Sequence, residues 1–332
     1  MITSHDVARL AGVSQPTVSR ALNDSPKVSE ATKQKVRAAA LALGYAPSAI
    51  GRALSTGRST RIGLVVTDLD NQFYSYVIAP MHDELNRTGY ELVLVTESDE
   101  SGPIAERLVG LGLAGVVLAT TTVDSILPAR LQDRRMPFVY FNRTAAGVEA
   151  DAVVVDPSSG VEALAAAVAE AGHTRAAAIF GPRNTSTGEE REQAMRAAFE
   201  EVGIAIARRD VLHGPFDFAT GHRGAYSLLQ RPDAPALLVC ANDVVALGAL
   251  NAAAELGIDV PGQVSMVGFD DLPTSSWALV RLSTVAYDLD AMSREAARLV
   301  VRRVEGGADE PVRRVAFDTR WVPRATVGAP PS

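Results

Sequence analysis

One cysteine among 332 residues excludes any disulfide within the chain, and that residue, Cys240, lies in the apolar run Ala236 to Ala241 and reads as a core thiol. No apolar run approaches the roughly twenty residues that a membrane span needs, and no basic-then-apolar leader opens the sequence; a soluble, cytoplasmic protein is therefore expected, with no membrane partner. Histidine is scarce as well: His5, His82, His173, His213 and His222 show no metal-ligand spacing. Neither a G-x-S-x-G elbow nor a phosphate-binding P-loop is present. Gly110, Gly112 and Gly115 match G-x-G-x-x-G, but a helical stretch precedes them and a strand follows, the reverse of what a dinucleotide fingerprint requires. No catalytic residue, metal ligand or cofactor is assigned.

The chain also lacks positive charge overall, at a net −7, and lacks lysine almost entirely. Its three lysines, Lys27, Lys33 and Lys35, all fall in the first 61 residues, where nine Lys and Arg face three acidic residues. That segment carries +6 and leaves −13 for the remainder, the pattern of a cationic nucleic-acid-binding head on an acidic body. At 47% hydrophobic, a chain of this length can bury the cores of two or three domains.

What is present begins at Thr3. Thr3 and Asp6 have capping-box spacing, Val7, Ala8, Leu10 and Ala11 give a first helix an apolar stripe, and Gly12 ends it. Ser14 is a suitable N-cap for a second helix with Pro16 in its first turn, where a missing N–H costs nothing. Val18 and Leu22 face inward, and Gln15, Pro16, Thr17, Ser19 and Arg20 make a polar outer face. Ser29 to Leu43 is a third helix, stopped at Gly44. The pattern predicts a helix-turn-helix closed by a third helix.

DVARLAGVSQPTVSRALN, continued by VSEATKQKVRAAALALGYAPSAIGRALSTGRSTRIGLVV, resembles the amino-terminal signature of the lactose-repressor (LacI/GalR) family of bacterial regulators. The resemblance implies an all-α helix-turn-helix DNA-binding domain over residues 1–45 and a hinge helix and linker over 46–59. It also implies an α/β, two-lobed, periplasmic-binding-protein-like (type I) effector domain with parallel sheets over 60–328. The first lobe is expected at about 60–156 and 288–317, and the second at about 157–287 and 318–328. In the family the hinge orders on operator DNA and inserts a leucine into the minor groove, and Leu54 matches that leucine. Ser48 replaces the usual asparagine, and Gly51 stands where alanine is common, weakening helix propensity by about 1 kcal/mol. A hinge that leans heavily on DNA and dimer contacts is expected. The second helix would enter the major groove with Gln15, Pro16 and Arg20 nearest the bases and Thr17 and Ser19 nearer phosphates. Thr3, Ser14, Asn23, Ala53 and Leu54 complete the expected DNA contacts.

From Arg61 onward, short apolar runs such as Ile62 to Val66, Phe138 to Phe141, Ala176 to Phe180 and Ala236 to Cys240 alternate with helical stretches. This alternation predicts parallel sheets covered by helices on both faces. Two units of about 120 residues suit usual domain sizes. The resemblance implies three crossings between them, placed here near Asp156, Tyr287 and Asp318. Ligands bind at strand carboxyl ends, hence in the cleft between lobes.

Arg191, Asn242 and Asp270 match the family's ligand arginine, asparagine and aspartate, and Phe216 matches an aromatic position of its cleft. A guanidinium fork, an amide and a carboxylate suit the paired hydroxyls of a sugar. Phe73, Tyr74 and Trp277 can supply apolar faces, and Asn142 and Arg143 would face the ligand from the first lobe. The tail TVGAPPS contains no leucine heptad, so a homodimer is expected. The expected function is a repressor that binds palindromic operator DNA under the control of a small-molecule effector, with a sugar favoured. The alternatives are a solute-binding module for transport or chemoreception, and a sugar-modifying enzyme.

Overall fold

The computed structural model describes residues 2–22, 24–45, 59–67, 69–96, 104–306 and 310–331. Asn23, Ala53, Leu54 and the hinge helix expected around them lie outside the described residues. The chain divides into two compact units, residues 1–60 and 61–332.

The first unit holds three helices, α1 (Ser4–Ala11), α2 (Gln15–Leu22) and α3 (Glu30–Leu43). The capping box forms as the spacing suggests, with the Thr3 N–H and hydroxyl both donating to Asp6 Oδ2 at 2.9 and 2.8 Å. Gly12 and Gly44 end α1 and α3 in the left-handed region, at φ 65° and 64°, where a side chain would be strained. Val7, Ala8, Val18, Ala21, Val36, Ala39 and Ala40 form the core. Leu10 departs from the expected stripe and is 56% exposed, because on a helical wheel it falls at the margin of the arc shared by Val7, Ala8 and Ala11. Ala21, not Leu22, supplies the deepest contact of α2 beside Val18.

The second unit contains β1 (Arg61–Val66), α4 (Gln72–Arg87), β2 (Glu91–Thr96), α5 (Ile104–Gly110), β3 (Gly115–Leu118), α6 (Leu127–Asp133), β4 (Phe138–Phe141) and β5 (Asp151–Asp156). It continues with α7 (Ser158–Glu170), β6 (Ala177–Phe180), α8 (Ser186–Glu201), β7 (Val211–His213), α9 (Phe218–Leu229), β8 (Leu237–Cys240), α10 (Asp243–Glu255) and β9 (Ser265–Asp270). β10 (Ser283–Ala286), α11 (Leu289–Val304), β11 (Arg314–Asp318) and β12 (Arg320–Val322) complete it. The strands form two six-stranded sheets, ordered β11-β5-β4-β3-β1-β2 and β12-β10-β9-β8-β6-β7. Every pairing among the described residues is parallel except β10 with β12.

Burial on both faces explains the unbroken apolar strands. Val116 and Leu118 pack toward α5 and α6, while Val117 between them joins the core under α4 and α11. In the second sheet Ala177, Ile179, Leu238 and Cys240 face α9 and α10, and Ala178, Phe180 and Val239 face α7 and α8. The chain passes between sheets after Asp156, between Ala286 and Leu289, and at Thr319. Asp318 still pairs with Asp156 in the first sheet, which moves the last crossing one residue along from Asp318. Thr319 joins two crossings: its hydroxyl donates to Asp156 O at 2.9 Å and accepts from Gly160 N at 2.9 Å.

Candidate ligand cleft and nucleic-acid interface

Strand order reverses at β1 and β3 in one sheet and at β6 and β8 in the other, and such switch points open a crevice at the strands' carboxyl ends. Past β1, Asn71 caps α4 by accepting from Phe73 N at 3.0 Å. Asn142 and Arg143 follow β4, Asn242 follows β8 and caps α10, and Asp270 ends β9. Asn142 and Asp270 adopt φ 64° and 109°, conformations uncommon for non-glycine residues and frequent where a side chain is aimed at a functional site. Thr187 and Arg191 reach the same place from α8, whose first turn is capped by Thr185.

These ends line a narrow, partly open cleft between the lobes. Phe73, Tyr74, Asn142, Arg143, Arg191, Phe216, Asn242 and Asp270 all line it, joined by Asn71, Ala119 and Thr187. Trp277 does not. It follows the 3₁₀ turn Pro273–Ser276, is 60% exposed and is no part of the cavity wall, because that turn carries the chain outward after Asp270. Phe73 and Tyr74 serve two roles, packing in the core while also lining the cleft.

The floor is a buried ionic cluster. Arg191 donates to Asp270 Oδ1 at 2.7 Å and to Ala241 O at 3.1 Å, and its guanidinium lies 3.9 Å from the centre of the Phe269 ring. Tyr287, which the sequence marked only as a crossing, donates its hydroxyl to Asp270 Oδ1 at 3.1 Å. Burial pushes the Asp270 carboxyl upward, and Arg191, Tyr287 and Asn242 oppose that shift. Tyr287 is pushed up by burial and by the Asp270 charge. Behind the cluster, Asp243 is fully buried and accepts from Leu272 N at 2.8 Å, Ser275 Oγ at 2.6 Å and Thr284 Oγ1 at 2.6 Å. Burial and then the Asp270 charge raise Asp243 to about 7.

The lobes also touch directly around the cavity. Asn71 Nδ2 donates to Phe216 O at 2.8 Å, Thr187 Oγ1 to Asn142 O at 2.8 Å, and Thr144 N to Ser186 Oγ at 3.0 Å. The Arg143 guanidinium stands 5.2 Å from the centre of the Phe216 ring. Donors, acceptors and ring faces from both lobes thus converge on one cleft, and their chemistry suits a hydroxyl-rich small molecule. Asn71, Thr187 and Tyr287 were missed in the sequence because each reads there as a helix cap or a strand end.

In the first unit, α2 leaves Pro16 and Arg20 exposed, while Gln15, Thr17 and Ser19 are partly covered. Gln15 Nε2 donates to Ser4 Oγ at 3.3 Å, and the Ser14 and Thr17 hydroxyls meet at 2.8 Å. Its acids neutralise specific cations: Asp6 pairs with Arg9, and Asp24 and Glu30 with Lys33 and Arg37. The uncompensated charge of the described head therefore resides at Arg20, Lys27 and Lys35.

Residues 3–48 match the family model "Bacterial regulatory proteins, lacI family", and residues 165–327 match "Periplasmic binding protein-like domain". The transcriptional regulator CelR of Thermobifida fusca is 35% identical over 321 residues, covering 93% of this chain and 94% of that protein. The transcriptional regulator GalR of Escherichia coli K12 is 34% identical over 305 residues, with 91% and 89% covered. Among solved structures, a CelR–cellobiose complex superposes with TM-score 0.73 at 32% identity, covering 98% of this chain and all of that one. A lac repressor dimer bound to operator and the anti-inducer ONPF shares the fold at TM-score 0.85 and 23% identity over 99% of each chain.

Proposed function

We propose, from the premise that this chain belongs to the lacI family of bacterial regulatory proteins and is a DNA-binding transcriptional regulator, that it works as a homodimeric repressor released or recruited by a sugar bound between its lobes. The reading gives it a palindromic operator, a cytoplasmic place and no catalytic activity. No helix among the described residues is long and apolar enough to cross a membrane.

The observation that carries the proposal is the cleft floor, where the buried Arg191, Asp270 and Asn242 line one cleft with Asn142 and Arg143 of the other lobe, and Tyr287 supports Asp270. Adjacent hydroxyls of a sugar both donate and accept, so one ring can satisfy a guanidinium, a carboxylate and an amide together. The CelR relative was solved with cellobiose, which favours the same ligand class here. A ligand held by both lobes shifts the balance between two lobe arrangements by its differential affinity for them, typically ~1–3 kcal/mol for such couplings. That difference would pass through residues 46–59 to the paired heads. In the head, α2 would lie in the major groove, with Arg20 suited to bidentate recognition of a guanine. Thr3, Ser14, Gln15, Pro16, Thr17, Ser19 and Asn23 would flank it, and Ala53 and Leu54 would contact the minor groove.

The test is a thermal-shift screen of the full chain against mono- and disaccharides, followed by gel-shift titration of promoter DNA with each hit. A stabilising sugar that also changes operator affinity is expected. Stabilisation only by nucleobases or amino acids would overturn the sugar assignment, and a hit that leaves operator affinity unchanged would overturn the control mechanism.

A further inference from the structure

Three chain crossings join the lobes, and they are anchored differently. Thr319 ties the first and the third to each other, through Asp156 O and Gly160 N. The second, residues 287–288, lies between β10 of the second sheet and α11, which packs on β3 and β4 of the first, and it is anchored on the cleft floor. Tyr287 is buried, with its ring centre 6.2 Å from that of Phe269, and its hydroxyl donates to Asp270 Oδ1 at 3.1 Å. Arg191 holds the same oxygen at 2.7 Å and also donates to the phenol oxygen. Arg191 and Asp270 line the cleft, whereas Tyr287 is no part of its wall.

The Tyr287 hydroxyl thus fills the hydrogen-bonding role that a sugar hydroxyl would take, giving to Asp270 and accepting from Arg191. A carboxylate oxygen offers two lone pairs, and Oδ1 already has two donors. A further donor must displace one of them, and the neutral phenol is held less strongly than the charged guanidinium. Burial and the Asp270 charge push the phenol well above its ordinary pKa, so it stays a neutral donor. Once displaced, a buried hydroxyl without its acceptor is costly, and residue 287 has to shift. The shift has a defined path. Asp288 caps α11 by accepting from Ala291 N at 2.8 Å. Met292, Ala296 and Val300 of α11 share one core with Val77, Met81 and Leu85 of α4, and Arg298 donates to the buried Glu84 of α4 at 2.9 Å.

We propose that the Tyr287 hydroxyl is an internal competitor for the effector's hydroxyl at Arg191 and Asp270, and that its displacement carries cleft occupancy through the second crossing to α11 and the first lobe. The inference rests on the effector reading above and deepens it by naming the residue that reads the site out. Tyr287 is a positioning residue, acting through Asp270 and the crossing. Removing its hydroxyl has two consequences of opposite sign. Arg191 and Asp270 become freer to bind the ligand, and the link from the cleft to the first lobe is cut.

The experiment uses the full chain and its Tyr287→Phe variant, titrated calorimetrically with and without promoter DNA. The probe is the saccharide that most raises the wild-type unfolding midpoint in a panel of common hexoses, pentoses and their disaccharides. For the wild type, DNA should change the saccharide's Kd by at least about fivefold in one direction or the other, as the reciprocity of coupling requires. Tyr287→Phe should bind the saccharide about threefold to tenfold more tightly without DNA, the worth of one hydrogen bond no longer competed away. DNA should then change its Kd by less than about twofold. Unchanged or weaker binding would overturn the competition, and an undiminished effect of DNA would overturn the readout. A purely structural role for the phenol would move both Kd values together and leave their ratio at the wild-type level. Failure of the wild type to bind any saccharide would instead overturn the sugar reading itself, and wild-type binding indifferent to DNA would overturn the control mechanism. Phenylalanine fills the same space, so an unfolding midpoint close to that of the wild type is expected without ligand. If Tyr287→Phe unfolds early, Asp288→Ala carries the test from an exposed position. It should leave the Kd without DNA unchanged and reduce the effect of DNA, and an undiminished effect would overturn the path into α11.

Discussion

Arg191 and Asp270, 79 positions apart in sequence, meet at 2.7 Å with both side chains almost wholly removed from solvent. Each is the other's compensation. Arg191→Ala would leave Asp270 charged, buried and supported by Tyr287 and Asn242 alone, and such single truncations cost about 3–5 kcal/mol. Asp270→Asn retains an acceptor for Arg191 and should cost less than Asp270→Ala. Urea unfolding followed by circular dichroism would measure both, and an unchanged midpoint for Arg191→Ala would refute the compensation. Below the unfolding transition, Arg191→Ala should keep operator binding and lose the response to effector.

The head was legible because local chemistry dictates it, whereas Arg191 and Asp270 were legible only through the family resemblance. Thr3 with Asp6, Gly12, Ser29 and Gly44 fix helix ends whatever surrounds them, and Ile62 to Val66 can be buried only as an interior strand. α9 gave no such signal. Gly221 and Gly224 interrupt it, and only the tertiary structure explains them: a Cβ at Gly221 would lie 1.9 Å from Val245 O, and one at Gly224 would lie 2.9 Å from Ile179 Cδ1. β11 and β12 were also obscure, since Arg314, Asp318 and Arg320 give edge strands a polar, exposed pattern. Within the site, Asn71 and Thr187 were hidden by roles that any surface polar residue could fill, and Trp277 misled because an exposed aromatic resembles a cleft wall in sequence.

Asp243 should make the stability of the second lobe depend on pH. Its folded value of about 7 lies above the ordinary carboxyl value of 3.8, so the folded chain holds this proton more tightly than the unfolded chain. The stabilisation is fully present below the unfolded value and is lost as pH rises toward the folded one, with a slope set by that proton difference. Asp243→Asn keeps an acceptor for Leu272 N and Ser275 and can donate to Thr284, but it does not titrate. Urea midpoints at several pH values should show the variant gaining on the wild type between about pH 4 and 7, by on the order of a few kcal/mol. Parallel curves would mean that Asp243 stays ionised throughout.

Gly181 is required by Phe216. A Cβ there would lie 2.3 Å from the Phe216 ring, which must then move into the cavity or away from Arg143. Gly181→Ala should therefore weaken effector binding by about tenfold or more, with a smaller effect on the unfolding midpoint than Arg191→Ala, since overpacking typically costs ~1–3 kcal/mol. Calorimetry on the two variants side by side would decide it. Unaltered ligand affinity would show that the ring is free to yield.

Arg20 is exposed on α2, and no side-chain ion pair or hydrogen bond holds it among the described residues, unlike Arg9, Lys33 and Arg37. Among the described residues it has no partner to give up on meeting DNA. As a base-reading residue, its loss in Arg20→Ala should cost about 1–3 kcal/mol on the operator, concentrated at one base pair of each half-site. Lys35, equally exposed but on α3, provides the contrast: Lys35→Ala should weaken every DNA sequence alike and reduce the salt slope by about one for each phosphate left without its cation. Gel shifts on the operator and on single-base variants, at three salt concentrations, separate the two cases. If Arg20→Ala lowers affinity uniformly across the base variants, Arg20 contacts the phosphate backbone, and sequence must be read by Gln15, Pro16 and their neighbours at the start of α2.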